Sequence, residues 1–279
     1  MRGGKSAGAR WAHGFTLIEL LAVVALIIIV LSLVLPVLGK AREAGRFAVC
    51  MSNMRQLCLG ILNYAPDNNG FFPWAGEVDR NCPQDWVWGG QPRADTENNA
   101  YWANPPASFG HHAEAGSIFP YVAQQPIRRN GSGKNGIDET IRTVYPIYRC
   151  PSTDILGEAL RVNFSMNAFI DSSLNDPEIV GGAVAGPSVY GVALSHVRKL
   201  SKKILLVNED PRTMHNASFY PMGSAGGGGT GTAFDGTPLH VLHHGGINVA
   251  FMDGHVMWVS HDEIMNMQKD PSTYFVPTL

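Results

Sequence analysis

A continuous apolar run near the amino terminus constrains this chain more than any other feature. Residues 20–38 are apolar except for Ser32 and Pro36. A helix over residues 15–38 is about 36 Å long at about 1.5 Å per residue, and the hydrocarbon core of a bilayer is about 30 Å thick. The sequence therefore predicts that residues 15–38 form a membrane-spanning helix.

The run is preceded by a basic leader and contains one acidic residue. Glu19 is the only charged residue between Arg10 and Lys40, whereas Arg2, Lys5 and Arg10 precede it without an acid. A carboxylate near the end of a membrane helix is costly in free energy and usually marks a function. A simple signal-anchor with an incidental glutamate is the alternative interpretation.

The leader itself carries a specific motif. Gly14-Phe15-Thr16-Leu17-Ile18-Glu19 ahead of an apolar helix resembles the cleavage signal of type IV pilins and type II secretion pseudopilins. The resemblance implies that a prepilin peptidase cuts after Gly14 and methylates the new amino terminus of Phe15. It also implies that Glu19 meets the cationic amino terminus of a neighbouring subunit during filament assembly, and that Pro36 occupies the helix-kinking position. The electrostatics agree, since a carboxylate in lipid needs a cation.

The helical pattern continues beyond the apolar run but becomes one-sided. Seven apolar residues recur at alternating steps of three and four, which is typical of one helix face: Ala44, Phe47, Met51, Met54, Cys58, Ile61 and Ala65. We predict one continuous helix of about 50 residues, ended by the turn signal in residues 66–70. Its second half, residues 39–66, is expected to pack against a sheet.

The remainder is rich in loops and short strands. The 31 Gly and 18 Pro residues predict many turns. We expect a short helix near 116–122, a terminal helical turn in 261–269, and strands at 143–149, 161–170, 203–207, 247–252 and 255–260. Asp253-Gly254 between the last two strands indicates a two-residue type I′ hairpin. The predicted fold is α+β: a long helix packed on an antiparallel sheet of about four strands with long loops.

Cysteine and histidine residues offer three alternatives for chemistry. Cys50 and Cys58 lie on the same predicted helix and cannot bridge each other, whereas Cys82 and Cys150 form a candidate disulfide. Five histidines lie near the carboxyl-terminal Asp253 and Asp262, where a metal site or a hydrolase deserves consideration: His240, His243, His244, His255 and His261. Because no catalytic or metal-binding motif accompanies them, we expect no bound metal and no cofactor.

The same region extends the family resemblance. His243, nine residues and then Asp253-Gly254 match the H-x9-DG signature of many proteins with this leader, a group abundant in planctomycete-type bacteria. The run from Cys50 to Pro73 and Cys150-Pro151-Ser152 resemble the same group. For His243 we favour a structural role over a metal, with its imidazole hydrogen-bonded to Asp253 or to a nearby carbonyl.

The charge and the aromatic content of the chain limit the classes of partner that it is expected to bind. The formal net charge is −2, and removal of the three leader cations lowers it to −5, so nucleic-acid binding is not expected. Four tryptophans between residues 74 and 102 either bind sugars or a partner or, as we favour, pin the loops in a satellite core: Trp74, Trp86, Trp88 and Trp102.

These features predict a structural subunit rather than an enzyme. The expected parts are a leader (1–14), a transmembrane and assembly helix (15–38), its amphipathic continuation (39–66) and an extracytoplasmic domain (67–279) ending in the H-x9-DG hairpin. The precursor is expected to be a single-pass protein of the inner (cytoplasmic) membrane, later part of a cell-envelope or surface filament of a type IV pilus or a type II secretion system. Its expected partners are the prepilin peptidase/methyltransferase, copies of itself and other pilins. The alternatives are a membrane-anchored metalloenzyme and an anchored glycan- or partner-binding module.

Overall fold

The computed structural model describes residues 16–75, 84–87, 113–128, 143–153, 155–170, 191–209, 211, 217–219, 242–243 and 245–277. The chain divides into two compact units, Met1–Gly45 and Arg46–Leu279. The second unit contains the sheet and both hydrophobic cores.

Helix α1 spans Leu17–Asp67 and confirms the predicted continuous helix of about 50 residues. It continues through Pro36 without a break in its helical assignment. It ends where Asn69 and Gly70 adopt positive φ angles of 56° and 82°, and the Gly70 amide donates to the Ala65 carbonyl at 2.8 Å. This left-handed ending is the one that the Asn-Gly pair predicts.

The two halves of α1 differ in burial. The side chains from residue 16 to residue 42 are exposed, with Leu17 at 83% and Leu33 at 68%. From Cys50 onward one face is buried against the rest of the second unit: Cys50, Asn53, Met54, Leu57, Cys58, Gly60, Ile61, Tyr64 and Ala65. Within the described residues, α1 is the one helix long and apolar enough to cross a membrane.

Among the described residues, five strands form one sheet in the order β3-β1-β2-β4-β5. The strands are β1 (Phe164–Asn167), β2 (Ile204–Asn208), β3 (Ser218–Phe219), β4 (Gly246–Phe251) and β5 (Val256–Ser260). The pairings are antiparallel except for β1 with β3, which is parallel. The predicted helix-on-sheet α+β architecture is confirmed, and the two-residue β3 adds a strand that the sequence pattern did not indicate.

The sheet separates two hydrophobic clusters. On β4, Ala250 joins the larger cluster, which includes the buried face of α1, whereas Val249 and Phe251 join the smaller one. This alternation follows from the two-residue period of a strand. The smaller cluster is covered by two terminal helices, α4 (His261–Gln268) and α5 (Pro271–Tyr274). Helix α4 confirms the predicted terminal helical turn.

The predicted strand at 143–149 is wrong. Pro146–Tyr148 form a 3₁₀ turn, and Pro146 begins it. Proline is favoured at the first position of a helical turn because its missing N–H needs no partner there. The alternating pattern of this segment reflects instead the burial of Tyr148 against the larger cluster.

The predicted type I′ hairpin is also wrong in its turn. The Phe251 amide donates to the His255 carbonyl at 2.9 Å, which leaves a three-residue loop, Met252-Asp253-Gly254. Gly254 has a positive φ of 92°, and Asp253 does not, although a type I′ turn requires both. A three-residue loop ending in a left-handed glycine is the next most common hairpin connection.

Two further short α-helices are α2 (Phe119–Ala123), which agrees with the expected short helix, and α3 (Ile155–Leu160). Trp74 is 5% exposed and Trp86 fully buried, and the Trp86 indole donates to the Ala217 carbonyl at 3.0 Å. Trp86 belongs to the larger hydrophobic cluster and is therefore part of the main core instead of a satellite core, and both tryptophans are buried instead of exposed for binding. Trp88 and Trp102 lie outside the described residues.

Candidate functional site

The first turn of α1 holds the predicted assembly residue in a capping box. The Thr16 amide and the Thr16 hydroxyl both donate to Glu19 Oε2 at 2.8 Å, and the Glu19 amide donates back to Thr16 Oγ1 at 3.3 Å. This reciprocal pair satisfies backbone donors that a helix start leaves without partners. The T-x-x-E spacing of this capping box is present in the sequence, where it is a signal for the start of a helix.

Two of the predicted processing and assembly residues cannot be placed. Gly14 and Phe15 lie outside the described residues, so the cleavage site stays a prediction from the leader motif. Glu19 lies one turn into α1 and is exposed, and Pro36 is part of the same helix.

A second site lies in the larger hydrophobic cluster, around Cys150. The Cys150 amide donates to Asn163 Oδ1 at 3.1 Å. Thr153 donates to the Cys150 carbonyl twice, from its hydroxyl at 2.7 Å and its amide at 3.1 Å. Asn163 is itself held, since its amide group donates to the carbonyls of Gly157 at 3.1 Å and Val162 at 2.9 Å. The backbone of Cys150 is therefore fixed by buried polar groups on both sides.

Helix α1 fixes the same segment from its other side. Asn53 Nδ2 donates to the Pro146 carbonyl at 2.8 Å and to the Arg149 carbonyl at 2.9 Å. The sequence pattern placed Asn53 off the apolar stripe of α1, yet Asn53 is only 8% exposed. The burial is tolerated because both amide protons are hydrogen-bonded.

Three side chains that are distant in sequence converge at this point. The Sγ atoms of Cys50 and Cys150 and a ring nitrogen of His243 lie within 4.8 Å of one another, and all three residues are fully buried. Cys150 Sγ lies 3.2 Å from His243 Nε2. In the described part of the chain, this is the group of histidine, cysteine and acidic side chains with the geometry to share a metal ion.

The imidazole of His243 is positioned by its neighbours. The Trp258 indole donates to the His243 carbonyl at 2.9 Å, and the Gly246 amide donates to the same carbonyl at 3.0 Å. The ring of Phe47, on α1, meets the imidazole edge to face at a centroid distance of 5.2 Å. A Cβ atom on Gly246 would collide with the Val259 carbonyl oxygen, so glycine is required for this close approach.

The pKa values of two buried thiols, Cys150 and Cys58, are shifted in opposite directions. The hydrogen bond with Cys50, together with the contact with His243, lowers the pKa of the Cys150 thiol against the opposing effect of burial. Burial raises the pKa of Cys58 to about 12, and the nearby Asp253 carboxylate adds to the increase. Cys58 Sγ donates to the Phe251 carbonyl at 3.4 Å and acts as a neutral packing residue.

The H-x9-DG residues separate into two places. Asp253 Oδ1 accepts from the His255 amide at 3.1 Å and lies 2.5 Å from His255 Nδ1, so His255 and not His243 is its partner. The ring of His255 stacks on Phe251 at 4.2 Å. The signature therefore joins a turn, set by Asp253 and Gly254, to a histidine that faces the cysteines.

No sequence pattern links Cys50 with His243. Cys82, the predicted disulfide partner of Cys150, lies outside the described residues, so that disulfide stays a prediction. In the structure Cys150 carries a thiol. The role of Cys50 in this cluster could be identified only from the tertiary structure, because positions 50, 150 and 243 share no local spacing.

Cys50, Cys150 and His243 are ligand-type residues, but their burial limits catalysis. A nucleophilic thiolate needs a path for its substrate, and all three residues have no exposed surface. The arrangement is suited to holding parts of the chain together.

The long apolar helix and the sheet define the class of protein: an α+β domain with one amino-terminal anchor-type helix, pilin-like in architecture. The family described as "Protein of unknown function (DUF1559)" matches residues 39–188, and the chain belongs to this family. No curated protein and no solved structure matches the chain.

Proposed function

We propose that this protein is a structural subunit of a type IV pilus-like or type II secretion pseudopilus-like filament. The precursor is cut after Gly14, and Phe15 becomes the methylated first residue. The work of the protein is assembly, and its partners are the processing peptidase, other copies of the chain and other pilins.

The observation that carries the proposal is the first half of α1. Its side chains from residue 16 to residue 42 are exposed, and the apolar stretch is far larger than the patches that soluble monomers leave uncovered. Such an apolar surface must be covered by lipid, by other helices, or by lipid first and by helices later. A filament subunit needs both environments, because it waits in the membrane and then bundles with its neighbours.

Glu19 supports the same proposal through its position. Its carboxylate is held in the first turn of α1 by Thr16, next to the site where cleavage would create a free amine. A carboxylate in an apolar setting is stabilised by a nearby cation. The amine of a neighbouring Phe15 is such a cation.

The processing step is tested by intact-mass measurement of the protein from its native membranes. We expect a chain that starts at methylated Phe15. A chain that keeps residues 1–14, or one that is cut after the apolar run, contradicts the proposal.

The assembly step requires separating two roles of Glu19, since the capping box alone would explain its presence. Glu19→Gln keeps the capping function, because glutamine also serves at this position, but it removes the charge. Thr16→Ala weakens the cap and keeps the charge. We expect Glu19→Gln to be cleaved yet absent from filaments, and Thr16→Ala to enter them.

Glu43→Gln is the matched control, because it removes a carboxylate from the same helix beyond the apolar run. Electron microscopy and immunoblots of sheared filaments give the readout. Normal incorporation of Glu19→Gln would show that the cap is the whole role of Glu19 and would overturn the assembly mechanism.

A further inference from the structure

We propose that Cys50, Cys150 and His243 form a binding site for a thiophilic divalent cation, with Zn²⁺ as the best fit. The proposal rests on a buried cluster and is independent of filament assembly. It differs from a metal site in the carboxyl-terminal histidine and aspartate residues, since two of its three ligands are cysteines from other parts of the chain.

The geometry already approaches that of a zinc site. Zinc is bound by cysteine sulfur at about 2.3 Å and by histidine nitrogen at about 2.0–2.1 Å in tetrahedral sites, which places S and N ligands about 3.6 Å apart. Cys150 Sγ and His243 Nε2 are 3.2 Å apart, and the three ligand atoms all lie within 4.8 Å. To reach tetrahedral spacing the Cys150–His243 pair must separate by about 0.4 Å, and a ligand pair at the 4.8 Å limit must close by about 1 Å.

The surroundings are those of a built site. Asn163 and Thr153 hold the backbone of Cys150, while Trp258 holds the carbonyl of His243. These hydrogen bonds act on the backbones of Cys150 and His243, so they fix the positions from which the two ligand side chains extend before the ion arrives. The three ligands are also fully buried, so bulk water does not compete for them, and one enclosed water molecule would complete the tetrahedral coordination.

The ligands join three separate parts of the fold. Cys50 lies on α1, Cys150 follows the 3₁₀ turn of Pro146–Tyr148, and His243 directly precedes β4. A bound ion would therefore clamp the long helix to the middle of the chain and to the sheet. Two thiolates and an imidazole are the soft and borderline ligands that favour zinc over calcium or magnesium.

A disulfide between Cys50 and Cys150 is the competing state of the same cluster, and the predicted Cys82–Cys150 bridge would also consume the Cys150 thiol. Neither disulfide gives a role to the imidazole that lies against Cys150. The ion uses all three side chains. The two states differ in a measurable way, because a disulfide removes the thiols that zinc needs.

The test uses the full chain in detergent, kept reduced with a phosphine, stripped with a chelator and then dialysed against Zn²⁺. We expect one tightly bound zinc per chain, and Co²⁺ in its place should give the intense sulfur-to-metal absorption of a tetrahedral thiolate site. Cys50→Ser, Cys150→Ser and His243→Asn should each weaken binding at least tenfold. Cys58→Ser, a buried cysteine on α1 outside the cluster, should bind as the wild type does.

Three results would overturn the proposal. The first is no stoichiometric zinc in the reduced wild-type chain. The second is one zinc that persists in all three ligand variants, which would place it elsewhere. The third is a disulfide of Cys150, with either Cys50 or Cys82, in protein isolated from its native membranes under thiol-trapping conditions. Should a ligand variant fail to fold, the cobalt spectrum of the wild type and the Cys58→Ser control still decide between the outcomes.

Discussion

Asn53 connects the long helix to the segment that carries Cys150, and its removal is the sharpest test of the packing described above. Asn53→Ala deletes the two hydrogen bonds to the Pro146 and Arg149 carbonyls, at 2.8 and 2.9 Å. A buried hydrogen bond contributes about 0.5–1.5 kcal/mol, so the loss of both should lower the free energy of unfolding by about 1–3 kcal/mol. That is a large share of the stability of an ordinary domain.

The assay is urea unfolding of the detergent-solubilised chain with tryptophan fluorescence as the readout. The buried Trp86 should report the transition, because unfolding exposes its indole to water. Gln56→Ala is the matched control, because Gln56 lies on the same helix and makes one exposed bond to Ser52 at 3.3 Å. Its effect should stay within about 0.5 kcal/mol.

Asn53→Asp separates the hydrogen bonds from simple loss of volume. It keeps the shape of the side chain but places carboxylate oxygens against two carbonyl oxygens. We expect a loss of stability at neutral pH at least as large as that of the alanine variant. The reasoning is refuted if Asn53→Ala costs less than about 0.5 kcal/mol, or if Asn53→Asp is as stable as the wild type.

Two further predictions concern the neighbouring interface. Gly246→Ala should destabilise the protein by about 1–3 kcal/mol in the same assay, because the added Cβ would lie 2.7 Å from Trp258 Cε2. Gly45→Ala is the control, since open space surrounds Gly45, and it should leave the stability unchanged. Equal effects of the two variants would contradict the packing argument. Cys58 should resist alkylation at pH 8 in the native protein and react after unfolding, because a pKa raised to about 12 leaves almost no thiolate. The contribution of this pKa shift to the free energy of unfolding is fully present below pH 9, the ordinary thiol pKa, and is lost as the pH rises to about 12. Peptide mapping by mass spectrometry reads out the labelled site, and rapid native labelling of Cys58 would refute its assignment as a buried neutral thiol.

Local periodicity was sufficient for the elements that depend on near neighbours. The apolar run and the alternating three- and four-residue steps predicted α1, because helical residues three and four positions apart share a face. The carboxyl-terminal hairpin was likewise predicted from two alternating runs around Asp253-Gly254. Its turn was misassigned, since loop length depends on which residues pair across the strands, and Phe251 pairs with His255.

The stretch at 143–149 shows how tertiary contacts override a local pattern. Its alternation indicated a strand, but Pro146 favours a helical turn and Asn53 of α1 binds the carbonyls of that turn. The partner residue lies 93 positions away in the chain, so no local window contains the information.

The sequence by itself determined the long helix, its exposed apolar half with a single acid, and the helix-on-sheet class of the fold. These depend on the order of apolar and polar residues along a few turns, which is a one-dimensional property. Only the tertiary structure decided that Cys50, Cys150 and His243 meet. Their meeting depends on how α1, the segment that follows the Pro146–Tyr148 turn, and β4 pack around one hydrophobic cluster. Packing brings together side chains whose separation in the chain carries no signal.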